Sequence, residues 1–143
     1  LTTFPQGALP SELTAVGGTL FFRVDAGTSG VELWKSDGTE TGTVRLTTFP
    51  QGALPSELTA VGGTLFFRAD DGTSGAELWK SDGTEAGTVR VKDIAPGATG
   101  SEPSELEDAG GTLFFTVQEG ASGPGLWKSD GTEGGTVQVR AFP

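Results

Sequence analysis

Apolar residues fall in short clusters between glycine-rich turns, and the clusters return at a fixed interval. Glu57–Val61 alternates polar with apolar and ends at Gly62-Gly63, a hairpin signal. Thr64–Ala69 (TLFFRA) follows, aromatic and strand-favouring. Asp70–Gly75 predicts a turn, Ala76–Ser81 (AELWKS) a third strand, and Asp82–Gly87 another turn. Thr88–Ile94 predicts a fourth strand, and Ala95–Pro103 a longer crossover rich in Pro, Gly and Ser. The 3.6-residue period of a helix is missing, and Gly or Pro breaks every longer stretch.

The same pattern occurs three times. Residues 1–45 and 46–90 differ at only four positions: Val24 against Ala69, Ala26 against Asp71, Val31 against Ala76, and Thr41 against Ala86. Residues 91–138 are a diverged third copy with three extra residues near Thr99–Ser101. Val139–Pro143 (VRAFP) aligns with Leu1–Pro5 (LTTFP), so 139–143 duplicates the start of a repeat. Two copies this similar are what recent duplication or deliberate construction produces.

Four short strands in a 45-residue period predict an all-β fold of β-propeller blades. Each blade has four antiparallel strands, each chain has three blades, and oligomerisation completes the ring. Solenoid coils are shorter, and a sandwich would not repeat so strictly. Blades stack face to face, which explains Leu65-Phe66-Phe67, where adjacent residues are all apolar.

The 24 glycines and 8 prolines then read as turns at fixed offsets, not as a sign of disorder. Lys and Arg number 9 against 19 Asp and Glu, for a net charge of −10. That balance argues against nucleic acid and anionic membrane surfaces as partners. With no Cys or His, thiolate catalysis, Cys/His zinc sites, haem ligation and Ser-His-Asp triads are excluded. No segment is long and apolar enough to cross a membrane, and no signal peptide is evident. A start at Leu1 is what a processed, trimmed or partial chain would have.

Glu77–Thr88 (ELWKSDGTEAGT) resembles the ELWxxDGT repeat of large bacterial proteins, and Glu32–Thr43 carries it as ELWKSDGTETGT. The third copy has Gly125-Leu126-Trp127 where the motif has Glu-Leu-Trp, and keeps Lys128–Thr132 (KSDGT). The resemblance spans nearly the whole chain. It implies propeller-like repeats of surface or secreted bacterial proteins, hence an extracellular or cell-surface location, with no reaction assigned. Gly125 speaks against any role that needs the Glu in all copies.

Several recurring residues invite a chemical reading. Trp34, Trp79 and Trp127 suggest either sugar-stacking platforms or blade packing with the indole N–H on a backbone carbonyl; their mid-strand positions favour packing. With them, Phe21, Phe22, Leu33, Phe66, Phe67, Leu78, Phe114, Phe115 and Leu126 are expected to form the layer between blades. The turns Asp37-Gly38-Thr39, Asp82-Gly83-Thr84 and Asp130-Gly131-Thr132, with Glu40, Glu85 and Glu133, suggest calcium. They lack the compact six to eight oxygens that calcium takes, so a self-capped turn is expected and no metal or other cofactor. Asp70-Asp71 becomes Asp25-Ala26 and Gln118-Glu119 in the other copies, which suits a solvated loop. Glu12, Glu57 and Glu105 suggest a glycosidase pair. Surface or crossover contacts facing Arg23 and Arg68 are the expectation, although the third copy has Thr116 at the Arg position.

Near-identical copies oppose a unique catalytic constellation, so no enzyme is expected. The sequence points to a non-catalytic, self-assembling scaffold. The alternative is a lectin-like or protein-binding propeller. The partner expected is the chain itself: a homodimer of six blades first, a trimer of nine second. Leu1–Pro5 and Val139–Pro143 then compete for one strand position at each junction, with Val139–Phe142 expected to hold it.

Overall fold

The structure, a computed structural model, describes residues 4, 6–27, 30–50 and 52–143. It is all-β: three four-stranded antiparallel sheets, one per repeat, with strands in sequence order across each sheet. The first unit holds β1 (Leu9–Val16), β2 (Thr19–Asp25), β3 (Val31–Ser36) and β4 (Val44–Arg45). The second holds β5 (Ser56–Val61), β6 (Thr64–Asp70), β7 (Ala76–Ser81) and β8 (Val89–Lys92). The third holds β9 (Ser104–Ala109), β10 (Thr112–Val117), β11 (Gly125–Ser129) and β12 (Val137–Ala141). The first strands of the units lie together, β5 touching both β1 and β9.

The sheets stack because both of their faces are apolar. Alternation along β2, β6 and β10 sends adjacent residues to opposite faces. Phe21 and Leu33 of the first unit pack against Leu65, Phe67 and Ala69 of the second. Phe66 and Leu78 of the second pack against Leu113, Phe115 and Val117 of the third. The middle sheet is therefore covered on both sides, which accounts for its unbroken Leu65-Phe66-Phe67.

Burial follows position in the stack. Phe21, Phe66, Leu33 and Leu78 are buried, while their counterparts Phe114 and Leu126 on the outer face of the third unit are half-buried. At the other end, Leu13 is 62% exposed where its counterpart Leu106 is 7% exposed. Phe22 remains buried at that end, where it lines one apolar hollow with Phe4, Leu13 and Leu20. Trp34, Trp79 and Trp127 are half-buried, not fully buried as expected. Trp79 and Trp127 pack against the core; Phe4 meets Trp34 edge-on at 5.1 Å, and Phe49 meets Trp79 at 5.2 Å. The expected indole bond to a carbonyl is not made at Trp79 or Trp127, whose N–H groups are enclosed without an acceptor.

Every first strand carries a bulge. Glu12-Leu13 stand opposite Phe22 alone, Glu57-Leu58 opposite Phe67, and Glu105-Leu106 opposite Phe115. The glutamates take left-handed backbone, with φ of 51°, 59° and 55°. That conformation costs an L-residue about 1–2 kcal/mol, so it persists where its surroundings impose it.

Phe67 has no exposed surface and sits between two units. Phe67→Ala is expected to lower unfolding stability by about 3–5 kcal/mol, measured by urea denaturation. An unchanged midpoint would contradict this account of the stack.

Candidate functional site

The polar motif beside each Trp builds a closed turn. In Ser36–Thr43, the Asp37 carboxylate accepts from the Thr39 amide at 2.9 Å and the Thr39 hydroxyl at 2.7 Å. The Thr39 hydroxyl oxygen accepts from the Gly42 amide, and Thr43 donates back to the Thr39 carbonyl. Ser36 accepts from the Gly38 amide and bonds the Thr43 hydroxyl. The same bonds recur around Asp82 and Asp130. A Cβ on Gly42, Gly87 or Gly135 would sit about 2 Å from that carboxylate, so the motif needs glycine there. The hydroxyl and amide of Thr39, Thr84 and Thr132 hold the three Asp carboxyls below their ordinary value. Among the described residues, no three acidic side chains are placed to hold a metal ion.

The turn has a second use. Lys35 donates to the Gly83 carbonyl of the next unit, and Lys80 to the Gly131 carbonyl at 2.6 Å. The rings of Phe21 and Phe66 cover the same two glycines. Lys128 is exposed and Gly38 has no such cover, because these are the two ends of the stack.

The bulge makes the matching contact near the first strands. Its extra residue frees the Leu58 amide from the ladder, and Glu12 Oε2 of the preceding unit accepts from it at 3.3 Å. Glu57 accepts from the Leu106 amide at the same distance. Thr14 and Thr59 donate to the carbonyls of Leu58 and Leu106. The expected Arg pairing holds for Arg23, 3.4 Å from Glu12. Arg68 instead meets Glu102, which lies in the crossover Ala95–Pro103. Thr116, at the Arg position, bonds Ser104.

The Glu of the ELW motif is a clasp that motif reading left without a role. Glu32 is buried, and its carboxylate accepts from the Phe49 amide at 2.9 Å and from the Thr47 hydroxyl. Glu77 is fully buried and accepts from Ser101 Oγ at 2.6 Å, the Ser101 amide and the Ala95 amide. Burial pushes the Glu77 carboxyl up, opposed by its bonds from Ser101 and Ala95. Each Glu thus holds the segment crossing to the next unit. A charged residue in a strand covered on both faces was the signal available in the sequence.

Asp71 does more than face solvent. Burial pulls its carboxyl up, but the amides and hydroxyls of Ser74 and Thr73 outweigh this and hold it at about 2. A hollow of about 570 Å³ lies between residues 94–100 and 119–121; Glu119 is its one ionisable lining residue.

No protein-family model, curated protein or solved structure matches this chain. The contacts that recur join one unit to the next.

Gly87→Ala is expected to destabilise by about 1–3 kcal/mol, read from thermal unfolding, because the Asp82 carboxylate occupies the space. A second expectation concerns acid. The Asp71 carboxyl lies below its ordinary 3.8, so its stabilisation is present above that pH and is lost as pH falls towards 2. Asp71→Asn should remove about 1–2 kcal/mol at neutral pH after solvent screening and flatten the acid limb of a melting-temperature curve. An unaltered acid limb would contradict it.

Proposed function

We propose that the chain is a non-catalytic, self-assembling β-propeller scaffold, with three blades per chain and a ring closed by copies of itself. One observation carries this reading. The blade-to-blade contact occurs twice within the chain, and its two halves are left over at the ends. The outgoing half is Glu105, Phe114, Leu126 and Lys128 on the third blade. The incoming half is the Leu13 amide, the exposed Leu13 side chain and the Gly38 carbonyl on the first. Inside the chain the same positions are joined as Glu57 to the Leu106 amide, and as Phe66 and Lys80 to Gly131. A surface already complementary to another surface of the same chain makes a head-to-tail contact, which closes into a ring when the rotation permits.

Propellers have about four to eight blades, so two chains giving six fit that range and three giving nine fall just outside it. The acidic surface keeps the assembly soluble without steering its register. Register comes from the Lys-to-Gly and Glu-to-Leu contacts, each of which needs one partner at one height.

Light scattering is expected to report twice the 14.6 kDa chain mass. Phe114→Asp should return the mass to a single chain, because it puts a charge on the outgoing apolar face. A single-chain mass for the unaltered protein up to about millimolar concentration would overturn the scaffold.

A further inference from the structure

The third blade departs from the other two where its chain leaves the sheet. In the first two blades a buried Glu carboxylate takes crossover amides: Phe49 on Glu32, and Ala95 and Ser101 on Glu77. The chain then crosses over, and Phe49 is delivered to Trp79 of the next blade. The third blade has Gly125 at the Glu position. With no carboxylate there, the Phe142 amide donates to the Pro124 carbonyl at 2.8 Å. The tail continues as an edge strand, pairing Arg140 with Leu126 and Ala141 with Gly125. Its close approach needs the glycine, since a Cβ on Gly125 would lie 2.5 Å from the Arg140 carbonyl oxygen and 2.7 Å from Gln138 Nε2. Phe142 stays on its own blade, 57% exposed, with the Arg140 guanidinium 5.8 Å from its ring centre. The seat on Trp34 that corresponds to the Phe49 seat on Trp79 is filled by Phe4 of the same chain.

We propose that Gly125 is a strand-retention device. It keeps the tail Val139–Phe142 on the third blade and leaves the Trp34 seat to Phe4, so that two copies dock without exchanging terminal strands. The docking part rests on the scaffold reading above; the tail part does not. The duplicated segments then divide two seats between them. Val139–Ala141 runs along the edge of the third blade as part of β12, and the Phe142 amide follows onto the Pro124 carbonyl. Phe4 takes the Trp seat of the first blade; Leu1–Thr3 and Pro5, whose displacement was expected, lie outside the described residues.

Two measurements test this on the full chain. Hydrogen exchange should find the Phe142 amide protected by at least about a hundredfold, both dilute and concentrated. Loss of that protection on concentration would mean that the tail leaves to reach a partner, and would overturn the proposal. Protection with a single-chain mass would remove the docking clause and the scaffold while keeping the role of Gly125. In the assembled protein, Phe142→Ala should change the dissociation constant by less than about threefold, whereas Phe4→Ala should weaken it by about tenfold or more. The reverse order would establish strand exchange and sink the idea. Gly125→Glu should abolish Phe142 amide protection; protection retained in a folded Gly125→Glu variant would count against the device. If that variant does not fold, exchange in the unaltered chain still decides.

Discussion

The structure depends on one constraint: each sheet is apolar on both faces, and no sheet can bury two faces by itself. The middle unit meets the constraint with Phe67 turned one way and Phe66 the other, each against a neighbour. Area removed from water is the main driving force for such stacking, and it has no direction of its own. The end units meet the constraint only halfway, which is why Leu13 is exposed and Phe114 and Leu126 are half-buried while Leu106, Phe66 and Leu78 are buried.

Direction comes from polar contacts. An apolar stack alone would let one sheet slide over the next. Lys80 on the Gly131 carbonyl and Glu57 on the Leu106 amide pin each step at two separated points. Both pins use backbone groups that ordinary strands would not offer. The Asp-Gly-Thr turn presents a glycine carbonyl, and the bulge releases a leucine amide. The left-handed glutamates fit this arrangement: the strained residue of one unit supplies the acceptor for the amide that the next unit's bulge sets free. Local strain is thereby offset by contact between units.

The buried Glu of the ELW motif belongs to chain direction, not to packing. It gathers amides that would be orphaned where the strand ends and the crossover begins. Its replacement by Gly125 coincides with the one unit whose tail continues along its own sheet. The crossover Ala95–Pro103 into the third unit supplies Glu102 for Arg68 and Ser101 for Glu77.

The sequence by itself determined the repeat, the four strands of each unit and the turns between them. These depend on local properties: glycine at fixed offsets, β-favouring clusters, and Asp and Thr side chains within reach of their own backbone. It also determined that the strands would be covered on both faces, through Leu65-Phe66-Phe67. Contacts between residues about 45 positions apart were decided only in the tertiary structure. Nothing local distinguishes Lys80, which grips a glycine carbonyl, from Lys128, which is exposed at the end of the stack. Nor does spacing reveal that Arg68 would pass over Glu57 for Glu102, or that the Trp79 and Trp127 indoles would pack by their rings without a hydrogen bond. Those outcomes depend on where one sheet sits relative to the next. That placement is a property of the assembled stack, because the apolar faces bring the sheets together before any single polar pair can form.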